Sequence, residues 1–233
     1  MFELSPVEQE AILLSLHVSL WSVAAGLLPG IAAAYILARF DFPGKLILDG
    51  LIHVPLVIPP VVTGYTLLIL FNDNAPGGKL LHAVFGSGIA FTWKGAVLAA
   101  LVMSFPLLVR SVRLSIELVD KGLEDASRTL GASPLRVFMT ITLPLSVPGI
   151  ITGVVLAFAR SLGEFGATIT FVSNIPGETR TLPVALYTLT QTPGTEFAAM
   201  RLCIISIIIA VAAIALSELL SRRTARRLRG EHA

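Results

Sequence analysis

AILLSLHVSLWSVAAGLLPGIAAAYILA, residues 11–38, runs for 28 residues without a Lys, Arg, Asp or Glu. About 20 such residues in a helix cross a hydrocarbon core of about 30 Å. Gly50 to Asn72 is a second uncharged run, 23 residues long. These two stretches alone predict membrane-spanning helices at 11–38 and 50–72. The first is preceded by Glu3, Glu8 and Glu10 instead of a basic n-region, and it is too long for the h-region of a signal peptide. It is expected to stay in the mature chain.

The rest of the sequence reads alike. Of 233 residues, 55% are hydrophobic and 14% charged, against roughly a quarter charged in an average soluble domain. Too little polar surface remains to cover a soluble core. A third span is expected at 89–109, with Lys94 near one end where its stem can snorkel to the headgroups. A fifth is expected at 198–220, with Arg201 and Glu218 near its ends. The fourth is less regular, because Pro144 and Pro148 interrupt the uncharged run from Val137 to Ala159. Helices usually begin at or after such residues, so this span is placed at 146–172, with Arg160 and Glu164 at bilayer depth. The fold class is all-α: a polytopic membrane protein of about five transmembrane helices over 11–220, with a basic tail at 221–233. With the N-terminus outside and the C-terminus cytoplasmic, 12 of the 17 basic residues fall in cytoplasmic segments, which satisfies the positive-inside rule.

Several chemistries are excluded. Cys203 is the lone cysteine, so there is no disulfide framework, and in an apolar span it reads as a small packing residue. No Cys/His cluster has metal-ligand spacing. No G-x-x-x-x-G-K-[ST] run cradles phosphates, so any ATP is hydrolysed by a partner. Arg222 to Arg229 directly follow a span, which marks a tail facing lipid headgroups and no nucleic-acid site. An ion-coupled secondary transporter would show inverted repeats and more intramembrane acids. A membrane-embedded enzyme would need paired carboxylates, or a nucleophile with a base, at one depth. Neither pattern is present.

Inside the spans, His17 and His53 are either hydrogen-bonded packing residues or functional ones. Pro29-Gly30 and Ile58-Pro59-Pro60 are kinks that either shape a pathway or are re-satisfied by neighbouring helices. Pro59 and Pro60, near mid-span, are the better pathway candidates. Arg160 and Glu164 lie four apart on one helix face and can pair. They are either an internal pair that fixes packing or a partly neutralised cation facing the path, able to attract an anion without trapping it.

The polar loop at 113–145 is too long for an ordinary helix connection and is expected to touch another molecule. Asp120 caps a first short helix, in which Leu123, Ala126 and Leu130 form one apolar face. Gly131 ends it. Ser133-Pro134 then starts a second helix, with Leu135, Phe138 and Ile141 as its buried side, and Pro144 stops it.

Within this loop, Asp125-Ala126-Ser127, three residues, Gly131, nine residues and Ile141-Thr142-Leu143-Pro144 resemble the E-A-A-x-x-x-G-x9-I-x-L-P signature of permease subunits of bacterial ABC importers. The spacing matches throughout. Two letters depart, Asp125 for Glu and Ser127 for Ala, and Glu124 stands beside the shorter carboxylate. FARSLGEFGA at 158–167, NIPGETRTLP at 174–183 and TQTPG at 190–194 are similar to the molybdate permeases of that group, and sulfate permeases share much of the first stretch. The likeness extends from Ser15 through Ser217.

The resemblance implies a type-1 importer transmembrane domain whose loop is the coupling helix. Glu124, Asp125, Ala126, Ser127, Gly131, Ile141, Leu143 and Pro144 would then meet the ATPase. It further implies a homodimer of this subunit, a pair of cytoplasmic ATPase subunits using ATP and Mg, and a periplasmic or lipid-tethered oxyanion-binding protein. No cofactor is implied in this chain. The implied location is the bacterial inner membrane, and the implied cargo is molybdate, with sulfate, thiosulfate or tungstate as alternatives.

Overall fold

The computed structural model describes residues 4–72, 74–86 and 88–228, and every regular element among them is helical. Helix α1 (Pro6–Arg39) opens on a capping box, in which Ser5 and Glu8 satisfy each other's backbone amides and Pro6 holds the first position. A turn at Gly44 leads to α2 (Lys45–Val57), and there Lys45, 2.8 Å from Asp41, holds that carboxyl below its ordinary value. Helices α3 (Pro60–Phe71) and α4 (Pro76–Phe85) follow. Helix α5 (Trp93–Glu117) starts where the Thr92 hydroxyl accepts the Gly95 amide and the Glu178 carboxylate accepts that of Trp93. Beyond it come α6 (Lys121–Thr129), α7 (Pro134–Val137), a π turn at Phe138–Thr142, and α8 (Leu143–Leu162). Helices α9 (Gly166–Val172), α10 (Leu182–Thr190) and α11 (Glu196–Leu228) complete the chain.

Helix α5 is the axis of the bundle, packed between α1 and α8. Small residues bring the three backbones together. A Cβ on Gly26 or Gly30 would stand 2.6 Å from Leu101 Cδ1 or 2.8 Å from Leu108 Cδ2. From the α8 side, Gly153 presses on Leu108 and Gly149 on Ser115. In lipid, helix association rests on such close packing and on hydroxyl bonds across the seam. The Ser111 hydroxyl donates to the Gly149 carbonyl at 2.9 Å, and Ser22 and Ser161 share a hydroxyl bond of 2.8 Å. Gly30 therefore packs in the α1–α5 contact, while Pro29 beside it is exposed. Leu37, Leu108, Val112 and Ala157 form the apolar core at one end of α5, and Val18, Leu67, Met103 and Phe171 form it at the other.

Among the described residues, four helical stretches are long and apolar enough to cross a membrane: Pro6–Arg39, Trp93–Glu117, Pro134–Leu162 and Glu196–Leu216. The expected second span at 50–72 is not straight. It is the pair α2 and α3, bent by 117° at Ile58-Pro59, and counting that pair as one span gives five. Ile58 is extended because a residue before proline is pushed out of the helical region, and Pro60 then opens α3 at its first position.

The fourth span also differs. Pro144 does not stop the loop helix: the chain stays helical from Pro134 to Leu162, and the interruption comes later, at Gly163–Phe165. The π turn is the reason. The Leu143 amide reaches back five residues to the Phe138 carbonyl, and this wider turn accommodates the ring of Pro144, which would clash with a carbonyl in a regular helix. At the far end of the chain, α11 continues past the expected limit of 220 to Leu228, and residues 229–233 of the basic tail lie outside the described residues. Arg201, near the start of the last span, is paired: its guanidinium meets the Glu8 carboxylate at 2.9 and 2.6 Å, tying the start of α11 to the start of α1.

Candidate coupling and pathway sites

The candidate coupling loop is shaped by its own caps. Asp120 accepts the Gly122 amide at 2.8 Å and starts α6. At the other end Gly131 has φ +87°, its amide bonds the Arg128 carbonyl, and the Ala132 amide bonds that of Ser127. This Schellman closure turns the chain without strain because glycine has no Cβ to resist a left-handed residue. The Ser133 hydroxyl then accepts the Arg136 amide and Pro134 begins α7.

The apolar face of α6 turns outward. Leu123, Ala126 and Leu130 are exposed, Leu130 by 88%. Leu135, expected on the buried side, is 72% exposed. Val137 and Thr142 are buried in its place, with Phe138 and Ile141 half-buried and the Phe138 ring 4.7 Å from that of Tyr35. Helical spacing shows which residues share a face and leaves open which face meets the bundle. Here the bundle side of α6 is taken by Glu124, the single buried residue of that helix among those described.

Glu124 is 3% exposed and does not stand beside Asp125 as a second surface carboxylate. One of its oxygens accepts Arg39 Nε and Nη2 at 3.2 and 3.0 Å and the Thr142 hydroxyl at 2.6 Å. Asp125 is exposed and pairs with Arg128 on its own helix at 3.0 Å. Ser127 is half-buried, while Leu143 and Pro144 sit half-buried in the first turn of α8. Neither Arg39 nor Thr142 is singled out by the sequence, since Arg39 reads as one more basic residue at a span end.

The second constellation forms where the two broken helix pairs meet. The first turn of α3 packs on the first turn of α9: a Cβ on Gly166 would lie 2.8 Å from Pro60 Cβ, and one on Gly64 2.5 Å from the Ala167 carbonyl oxygen. Pro60 is thus brought to the same break as Arg160 and Glu164, and Pro59 is the residue that precedes it. Arg160 Nη1 stands 2.6 Å from Glu164 Oε2, while Glu164 Oε1 accepts the Ala167 amide at 2.8 Å. The Glu164 side chain is 2% exposed and that of Arg160 27%. Glu164 therefore pairs with Arg160 and also caps α9, a bond that no sequence spacing announced. Thr63, one turn into α3, is buried and its hydroxyl has no hydrogen-bond partner among the described residues.

Other sequence candidates fall elsewhere. His17 packs its ring against Trp93 and Trp21, with centroids 4.8 and 6.3 Å apart. His53 Nδ1 lies 3.1 Å from the Asp49 carboxylate, which Arg113 also holds. Cys203 is exposed on α11, so it is no packing residue within this chain. Residues 174–181 form the loop before α10, in which the buried Thr179 hydroxyl accepts the Ile175 amide and Arg180 donates to Asn174 at 2.7 Å, while Glu178 reaches out to the start of α5.

Residues 26–229 match the protein family described as "Binding-protein-dependent transport system inner membrane component". The chain belongs to that family. Its relatives include the molybdenum transport system permease protein ModB of Escherichia coli K12, 60% identical over 219 residues that cover 94% of this chain and 96% of that one. ModB of Haemophilus influenzae is 54% identical over 222 residues, covering 95% and 97%. The sulfate transport system permease protein CysW of Synechococcus elongatus is 39% identical over 224 residues, covering 95% and 77%. Among solved structures, the inward-facing MetNI methionine ABC transporter matches with a TM-score of 0.72 at 16% identity, covering 95% of this chain and 99% of that one. A bacterial ABC transporter that imports alginate matches at 0.74, also at 16% identity, covering 94% and 80%. The fold is that of ABC importer transmembrane domains, and the chain is an inner-membrane transport component, not an enzyme.

Proposed function

We propose that this protein forms the translocation pathway of an ATP-driven importer whose cargo is molybdate. The observation that carries this reading is the 60% identity with a molybdenum transport permease across nearly the full length of both chains. The exposed apolar side chains of the coupling loop support the docking part of it, because Leu123, Leu130 and Leu135 form a surface that this chain leaves uncovered.

Two copies of the subunit would pair through faces such as that of α2, which buries no residue in the monomer. A dimer of cytoplasmic ATPase subunits, using ATP and Mg, would seat the two coupling helices, and a periplasmic binding protein would deliver the anion. The C-terminal helix end then lies in the cytoplasm, with the coupling loop. ATP binding draws the docked loops together and the paired bundles open outward, while the anion passes without chemical change. Arg160 offers a cation beside the path, and Glu164 weakens its hold so that the anion can leave.

The test is uptake of labelled molybdate at nanomolar supply in cells lacking this gene. Uptake should fall, and should recover when molybdate is abundant. Unchanged molybdate uptake with impaired sulfate uptake would assign the protein to the sulfate carriers instead.

A further inference from the structure

The ion pair between Arg39 and Glu124 joins parts of the chain 85 residues apart. Its two side chains are 7% and 4% exposed. Arg39 is the last residue of α1, and its Nη2 also donates to the Val119 carbonyl at 3.1 Å, just before α6 begins. Glu124 in turn accepts the Thr142 hydroxyl from the π turn at the entrance to α8. One carboxylate oxygen therefore gathers the end of one membrane helix, the coupling helix, and the start of another.

Stability alone does not call for a charge here. A buried pair seldom outperforms apolar side chains of the same size, because both ions lose their hydration. The loop has leucines available for anchoring and turns them outward. An ionic node with three donors on one oxygen differs from an apolar contact in another respect. Its bonds have fixed lengths and directions, so α6 cannot slide or roll against the bundle without breaking them.

We propose that Arg39 is a positioning residue for energy coupling: through Glu124 and Thr142 it transmits movement of the docked coupling helix to α1 and α8 together. This rests on the permease reading above. A coupling helix freed from the node would still dock and still fire the ATPase, but its motion would reach the membrane helices incompletely.

The measurement is the number of ATP molecules hydrolysed per molybdate imported by the full complex in proteoliposomes, driven by loaded binding protein. The double variant Arg39→Met with Glu124→Gln removes both charges, so no ion is left buried and unpaired, and assembly should survive. Its ratio is expected to rise at least fivefold over wild type. Thr142→Val, which deletes only the tie to α8 and preserves shape, is expected to raise the ratio about twofold, and it decides the matter if the double variant does not assemble. A wild-type ratio in the assembled double variant, or in Thr142→Val when that variant must decide, would overturn the proposal, since a merely structural pair changes yield and melting temperature but not stoichiometry. Failure of the permease reading would appear in the wild-type complex itself. A complex that imports sulfate in place of molybdate corrects the cargo, and the same ratio is then read with sulfate.

Discussion

Replacing Gly131 by valine perturbs the coupling loop through the backbone alone. A Cβ at this position meets nothing within 4 Å, so there is no clash with the bundle, yet φ stands at +87°. For a residue with a Cβ that region costs about 1–2 kcal/mol, and a β-branched side chain sits at the unfavourable end. The two bonds of the Schellman closure, from Gly131 and Ala132 to the carbonyls of Arg128 and Ser127, hold the residue there, and relieving the strain means breaking them. The loop would then populate its docking shape about tenfold less, since 1.4 kcal/mol is a factor of ten in an equilibrium. Insertion and dimer assembly should be intact because the loop buries little of itself. Gly131→Asn is the internal control, as asparagine enters the left-handed region more readily. The assay is ATPase activity of the reconstituted complex with and without loaded binding protein, alongside molybdate uptake. Stimulation and uptake should fall several-fold in the valine variant and much less in the asparagine one. Wild-type behaviour of Gly131→Val would refute the assignment of this loop as the docking site.

Three further outcomes are expected. In a background lacking Cys203, a cysteine at position 229 should resist an impermeant thiol reagent applied from outside, and ready labelling would invert or break the five-span arrangement. Arg160→Gln should lower the melting temperature of the purified complex more than Glu164→Gln. The first strands a buried carboxylate, which costs about 3–5 kcal/mol when a buried pair is broken, whereas glutamine at 164 still accepts the Ala167 amide. Equal losses would contradict the capping role of Glu164. Gly64→Val should cost about 1–3 kcal/mol by forcing α3 off α9, while Gly50→Ala, in open space on α2, should be neutral or slightly stabilising. The reverse order in thermal unfolding would deny the α3–α9 contact.

Hydrophobic length by itself determined that this chain is helical and crosses a membrane, because a 28-residue uncharged run in so sparsely charged a chain exceeds the length a bilayer needs, and there a single segment satisfies its backbone as a helix. The caps of the proposed coupling loop were equally legible. Asp120, Gly131 and Ser133-Pro134 act on amides and carbonyls within six residues, and local spacing is all they need. What the sequence could not contain was the partner of a residue far along the chain. Pro144 looks like a helix stop until the π turn before it is seen, and Leu135 looks buried until Val137 and Thr142 are found in its place. Glu124 reads as a surface charge beside Asp125, yet Arg39, 85 residues earlier, takes it inside. Helical periodicity states which side chains share a face, whereas the packing of α1 and α8 around α5 decides which face is covered. For the same reason Pro60 and Glu164 could each be marked as a break in a span, but only the contact between α3 and α9 put the two breaks together.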